Sequence, residues 1–298
     1  MFYLLLTILA NVAIFISFHS FSKYDINTFP AIITNYAVCV ITGLFYNGFA
    51  DVRSNFDPSS TWFYAAIALG FVFVSTFYLM ARTTQLRGVS VATVASKMSL
   101  AIPVIFSLFI FKVGTSELDT WNYIGIFLAF IAILMVTKKP ANSETQKMAL
   151  RNLGLPLLVF FMGGVIDTSL NYINLNLLNT DLEPIFPIFI FGFAFIIGLF
   201  IALIQKVKFR RKDILGGIYL GIPNFFSIFF QLKALSAYDN NGALVYPSMN
   251  IGIIIASTLA AISLFKEKLS RLNWMGITLA VIVILLLSHQ GIITYFEI

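Results

Sequence analysis

Ten stretches of about 20 residues, almost all apolar, follow one another along this chain, near 2–20, 29–50, 61–81, 90–111, 120–137, 152–173, 184–205, 213–231, 241–264 and 273–291. As a helix rising 1.5 Å per residue, each is long enough to cross a hydrocarbon layer about 30 Å thick. Lipid supplies no hydrogen-bond partners, so a segment entering it must satisfy its own backbone. Runs of this length do so as helices, whereas barrel strands would need only about 10 residues. Composition agrees. Hydrophobic residues make up 59% of the chain and charged residues 11%, against about 25% charged in soluble domains, so most of the surface must face lipid. The expected fold is an all-α membrane protein of ten transmembrane helices.

The ten are five taken twice. Asn122 to Leu134, NYIGIFLAFIAIL, returns 151 residues later as Asn273 to Leu285, NWMGITLAVIVIL, identical at eight of thirteen positions. The same offset pairs Leu69 and Gly70 with Leu220 and Gly221, Ala92 with Ala243, Met98 with Met249 and Leu108 with Leu259. An odd number of helices per copy makes the chain enter the second copy from the other side of the membrane. The copies should therefore be inverted repeats about an axis in the membrane plane. The expected organisation is a first five-helix repeat over 1–139, a connecting loop over 140–151 and a second five-helix repeat over 152–298.

Lys and Arg give an orientation. The turns after helices 1, 3, 5, 7 and 9 hold fifteen of them, in clusters at 138–151, 206–212 and 266–271 together with Lys23, Arg82 and Arg87; the other side holds Arg53, Lys112 and Lys233. The positive-inside rule then places the odd turns in the cytoplasm and both termini outside it, in a multi-pass protein of the cell membrane. The net charge of +6 follows from this topology and does not indicate nucleic acid. The N-terminal run lacks a basic n-region and a small-residue cleavage site, so it reads as a retained helix. One Cys and two His give no disulfide and no metal cluster, and no cofactor motif is present.

What chemistry remains lies within the bilayer. Lys97, in SVATVASKMSLAIP, and Asp167, in FFMGGVIDTSLNYIN, are charges in otherwise apolar runs, where a charge costs at least about 2.5–3.5 kcal/mol and usually faces a bundle interior or a wet cavity. Their depths differ by about 10 Å at the helical rise, so a direct pair is not expected. Lys97 either snorkels to the headgroups or, with Ser90, Thr93, Ser96 and Ser99 around it, lines a cavity and meets an anionic group. Asp167 is either a structural hydrogen-bonding group or the candidate for proton coupling, since a carboxyl can take up and release a proton. Asn11, Asn35, Tyr78, Asn224, Tyr246 and Asn250 complete the candidate substrate-binding set. Pro103, Pro223 and Pro247 are candidate kinks, and Gly163-Gly164, Gly216-Gly217 and the Gly125/Gly276 pair are sites of close helix contact.

Ten helices in two inverted copies, with a junction SLFKEKLSRLNWMGITLAVIVILLL after the ninth, resemble the drug/metabolite transporter superfamily and its EamA-type members. The most specific element is the acidic-basic pair after the fourth helix of a repeat with a Gly entering the fifth, here Glu267-Lys268 and Gly276. In the first copy Glu117 is followed by Leu118, so the motif is carried by the second copy only. The resemblance implies a secondary carrier of small metabolites working by alternating access, without ATP hydrolysis. Lys97 is similar to the fourth-helix Lys with which some branches hold substrate phosphates. Members usually keep their termini in the cytoplasm, which the charge count here reverses.

The expected function is therefore secondary active transport of a small anionic or amino-acid-like metabolite, with the bilayer, the substrate and a coupling proton as its partners. A flippase for lipid-linked substrates and a passive channel or scaffold are the alternatives. An enzyme ranks last, because two scattered charges and two terminal-region histidines form no catalytic constellation.

Overall fold

The computed structural model describes residues 2–102, 120–137, 148–178, 182, 184–237 and 242–296. Eleven helices cover almost all of them: α1 Phe2–Lys23, α2 Thr28–Asn47, α3 Phe49–Ser54, α4 Thr61–Arg87, α5 Val89–Met98, α6 Thr120–Thr137, α7 Met148–Asn176, α8 Phe186–Ile204, α9 Arg211–Ala237, α10 Gly242–Phe265 and α11 Arg271–Phe296. Among the described residues nine, all but α3 and α5, are long and apolar enough to cross a membrane. The protein is thus an all-helical membrane protein. The tenth expected span, 90–111, is described only through Val89–Met98 and residues 101 and 102, so Pro103 and Lys112 lie outside the described residues.

Two boundaries differ from the expectation. The expected loop over 140–151 is described only from Met148, and Met148 to Arg151 already belong to α7; Met, Ala, Leu and Arg are strong helix formers and extend it past the apolar run. The other difference is at α5, where the helix stops at Met98, Ser99 and Leu100 form a turn, and helix resumes at residue 101. That interruption lies near the middle of an apolar run.

Hydroxyl side chains inside the spans are satisfied locally, as lipid requires. Thr7, Ser17, Thr34, Thr76, Thr83 and Thr137 each donate to the carbonyl four residues back, at 2.7 to 2.9 Å. Helices then pack through small residues, because lipid tails give apolar side chains no reason to leave them and close backbone approach supplies the attraction. A Cβ on Gly221 of α9 would come within 2.7 Å of Val38 Cβ on α2, and one on Gly70 of α4 within 2.8 Å of Phe193 Cβ on α8.

The contact between α6 and α11 is reciprocal at the repeat offset. Asn122 near the start of α6 donates to the Leu287 carbonyl of α11 at 3.4 Å, and Asn273 near the start of α11 donates to the Val136 carbonyl of α6 at 2.7 Å. Gly125 faces Leu286 and Leu287 while Gly276 faces Met135 and Val136. Adding 151 to Asn122 and Gly125 gives Asn273 and Gly276, and subtracting 151 from Leu286 and Leu287 gives Met135 and Val136. The two helices are therefore antiparallel and their contacts interchange.

The turns that carry most of the basic residues gather at one end of the bundle, the basic face. There Arg210 chelates the fully buried Asp213 with Nε and Nη2, both at 2.9 Å, and Asp213 also accepts the Asn27 backbone N–H at 2.7 Å. Arg210 and Lys212 reach across to Asp25. Gln85 donates to Thr28 Oγ1 at 2.8 Å, and His19 stacks on Phe265 with ring centroids 3.8 Å apart. At the other end Tyr46 meets Phe229, Tyr3 meets Phe230, and Trp62 meets Phe186 and Phe189.

Candidate functional site

Four helices meet around the two intramembrane charges: α1 packs on α10 and α5, and α5 packs on α10 and α7. Among the described residues α7 has no extended contact with α1 or α10. Open space beside α5 is marked by the exposure of Asp167 and the half-exposure of Lys97.

Asp167 faces that space. On α7 the exposed apolar residues Leu158, Phe161, Val165 and Tyr172 fall, at about 100° per residue, on one stripe that looks outward to lipid. Asp167 is exposed too, yet it lies roughly 160° away from Val165 around the helix, on the side that holds the buried Phe160 and the two glycines Gly163 and Gly164. A Cβ on Gly163 would stand 3.0 Å from Ser99 Oγ, and one on Gly164 would overlap Ile102. The glycine pair thus lets the broken end of α5 press onto α7, and Ser99 Oγ bonds Asp167 Oδ2 at 3.0 Å as a result.

Lys97 stands two residues before the break. Its Nζ donates to Asn11 Oδ1 on α1 at 3.4 Å, and the side chain is half-exposed although the residues around it on α5, Thr93, Val94, Ala95 and Met98, are buried. The ammonium therefore turns toward α1 and the interior. Asn11 is itself oriented by donating to the Thr7 carbonyl at 3.0 Å. Lys97 and Asp167 feel each other electrostatically, but their charged atoms stand more than 4.0 Å apart and form no ion pair. Tyr246 of α10 lies within electrostatic reach of Asp167 and is hydrogen-bonded with Gln231 of α9.

The remaining candidates are placed differently. Asn250, one turn beyond Tyr246, is buried with its Oδ1 unpaired. Asn35 and Asn224 are buried together away from the charges: Asn224 Nδ2 donates to Asn35 Oδ1 at 3.1 Å, with Cys39 beside them. This polar knot joins α2 to α9, a bond across a helix interface of the kind expected between membrane helices. Tyr78 is exposed on α4, edge-on to Phe29 with centroids 6.2 Å apart. The structure brings Lys97, Asn11, Asp167 and Tyr246 together, and leaves Asn35, Asn224 and Tyr78 elsewhere.

One contact of this region spans 178 residues. Glu267, in the turn between α10 and α11, places its carboxylate at the start of α5, accepting the Val89 N–H at 3.2 Å and the Ser90 amide. An acidic group there satisfies orphan amides and complements the positive end of the helix. Gly88, the residue before α5, has φ +105°, and any Cβ on it would overlap the Glu267 carboxylate. Both are visible in the sequence as a Gly before an apolar run and an acidic residue after one. Their pairing is not.

No family model matches this chain. A protein of Haemophilus influenzae, described as uncharacterized, is 29% identical over 284 residues, covering 92% of this chain and 93% of its own length. A solved crystal structure superposes with a TM-score of 0.59 over 96% of this chain and 97% of its own, at 12% identity. That likeness shows a shared fold.

Proposed function

We propose that this protein is a secondary carrier in the cell membrane that moves a small metabolite by alternating access, with the substrate bound between α1, α5, α7 and α10. The observation that carries the reading is the pair Lys97 and Asp167: opposite charges at mid-bundle that face one interior space and leave each other unpaired. A charge in that setting persists when water or a ligand compensates it. α1 and α5 belong to the first half of the chain, α7 and α10 to the second, so a relative movement of the halves would alter the space between them.

The proposed architecture is ten helices in two inverted repeats of five, resembling EamA-type drug/metabolite transporters. The interchange of α6 and α11 contacts supports it, as does helix pairing throughout the bundle. Exchanging α1, α2, α4, α5 and α6 for α7, α8, α9, α10 and α11 carries the α2 to α9 pairing into α8 to α4, α1 to α9 into α7 to α4, and α1 to α10 into α7 to α5, all of them present. Such pseudo-symmetry is what gives a carrier two similar end states. On this reading the latched basic face is the closed side, cytoplasmic by its charges. A proton is the coupling ion the reading carries, with Asp167 the group able to hold it.

Uptake in proteoliposomes tests the proposal. Saturation with substrate concentration and counterflow from preloaded vesicles are expected; flux that rises linearly and shows no counterflow would make the protein a channel.

A further inference from the structure

We infer that the substrate is a small zwitterion, its acid group held by Lys97 and its ammonium by Asp167. This rests on the carrier reading and goes beyond it by fixing the charge pattern of the cargo.

The hydrogen-bonding capacity at the two charges is mostly unspent. An ammonium has three donors and no acceptor, and Lys97 uses one of them, on the neutral Asn11 oxygen at a long 3.4 Å. A carboxylate has about four lone-pair directions, and Asp167 meets the Ser99 hydroxyl at 3.0 Å, whose one proton it shares with the Ser96 carbonyl at 2.6 Å. Both could have been satisfied by touching each other. They do not, although each lies in the other's field.

Different partners hold the two groups: Asn11 on α1 takes Lys97, while Ser99, pressed onto α7 at Gly163 and Gly164, takes Asp167. A plain anion in this space would complete Lys97 but sit against the Asp167 carboxylate. A plain cation would meet the converse repulsion. With Asp167 ionised, a ligand with both signs completes both groups, through charge-assisted hydrogen bonds of about 2.7–2.9 Å at each end. The arrangement is one-sided as well. At the repeat offset of 151 the counterpart of Lys97 is the uncharged Ser248, so the charge is not duplicated across the pseudo-twofold and the ligand has one polarity in the site.

Assigning Asp167 to the ammonium gives it a recognition role that a pure proton site lacks. A pure proton site should tolerate Asp167→Asn in substrate exchange, because the amide keeps hydrogen bonding and exchange needs no net proton movement. A recognition carboxylate should not.

The experiment uses the purified full-length chain and reads binding by thermal unfolding. The probes are the common L-amino acids, with the N-acetyl and carboxamide derivative of each that stabilises, and a sugar phosphate and a nucleotide as ammonium-free anions. At least one free amino acid should raise Tm, and removing either its ammonium or its carboxylate should weaken binding at least tenfold. These ligand changes need no mutant. In Lys97→Ala the advantage of acid over carboxamide should disappear, and in Asp167→Asn the advantage of free amine over N-acetyl; Lys97→Arg and Asp167→Glu, which keep the charges, should retain part of each. Stabilisation by an ammonium-free anion with no response to any amino acid, or no probe raising Tm, would overturn the zwitterion. Counterflow of that anion would then leave the carrier standing, whereas a zwitterion that binds with both charges but shows no counterflow would remove the carrier and keep the site.

Discussion

Gly163 and Gly164 show how strongly single residues govern this site. With no side chains there, α7 reaches the interrupted end of α5 closely enough for Ser99 to bond Asp167. A methyl group on Gly164 would overlap Ile102, and overpacking of this kind costs about 1–3 kcal/mol. Gly164→Ala should therefore lower Tm and, by moving α7 away from Ser99, weaken substrate binding more than Gly154→Ala, whose Cβ would meet nothing within 4 Å. Equal affinity in the two variants, measured by titration, would mean that the close approach serves packing alone. The charges themselves were legible in the sequence, because Lys97 and Asp167 interrupt apolar runs where few forces other than function keep them. Their shared space was not. Depth along two helices says nothing of the direction in which each side chain points, and Asn35, Asn224 and Tyr78, equally polar by sequence, turn to helix contacts or outward.

At the scale of the helix, α5 is short and held at both ends by distant chain. Glu267 caps its start across 178 residues and the Ser99 turn ends it beside Asp167. Burial lifts the Glu267 carboxyl above the ordinary glutamate range, against the Ser90 and Val89 hydrogen bonds that favour its charged form. Folding then takes up a proton between the unfolded and folded values, so the contribution of this group is fully present below the unfolded value and is lost as pH rises through the folded one. Tm of the native chain should accordingly fall, relative to that of Glu267→Gln, as pH rises across the mildly acidic range; parallel curves would show that the carboxyl is not buried as described. Gly88→Ala should destabilise at every pH, both because φ +105° strains an L-residue and because its methyl displaces the cap. Nine of the ten expected spans, and most of their boundaries, could be read from apolar run length alone. The break at Ser99 and Leu100 could not, since neither residue forbids helix and the candidate kink, Pro103, lies outside the described residues.

For the whole molecule, the position of the basic residues and the position of the interhelical latches coincide. Arg210, Lys212, Asp25, Asp213 and Asn27 tie the α1–α2 turn to the start of α9, and Glu267 ties the α10–α11 turn to α5, all on the face that carries the clustered Lys and Arg. If the proposed carrier holds, the charge asymmetry would put that face in the cytoplasm and the latches would make it the closed side. Topology can be tested with one native thiol in place, because Cys39 is fully buried between α2 and α9 and should not react with an impermeant reagent in the folded protein. A Cys introduced at Asn142 should be labelled only from the cytoplasm, and one at Ser54 only from outside. Labelling in the reverse sense would put the latched face outside and invert the proposed closed side, while the contacts of α5 with α1, α7 and α10 stayed as they are. Substituting Arg210 by Ala separates the two consequences further. It leaves the Asp213 carboxylate without its bidentate partner, and it should increase labelling of a Cys placed at Ser96 on α5 from whichever side the Asn142 probe identifies.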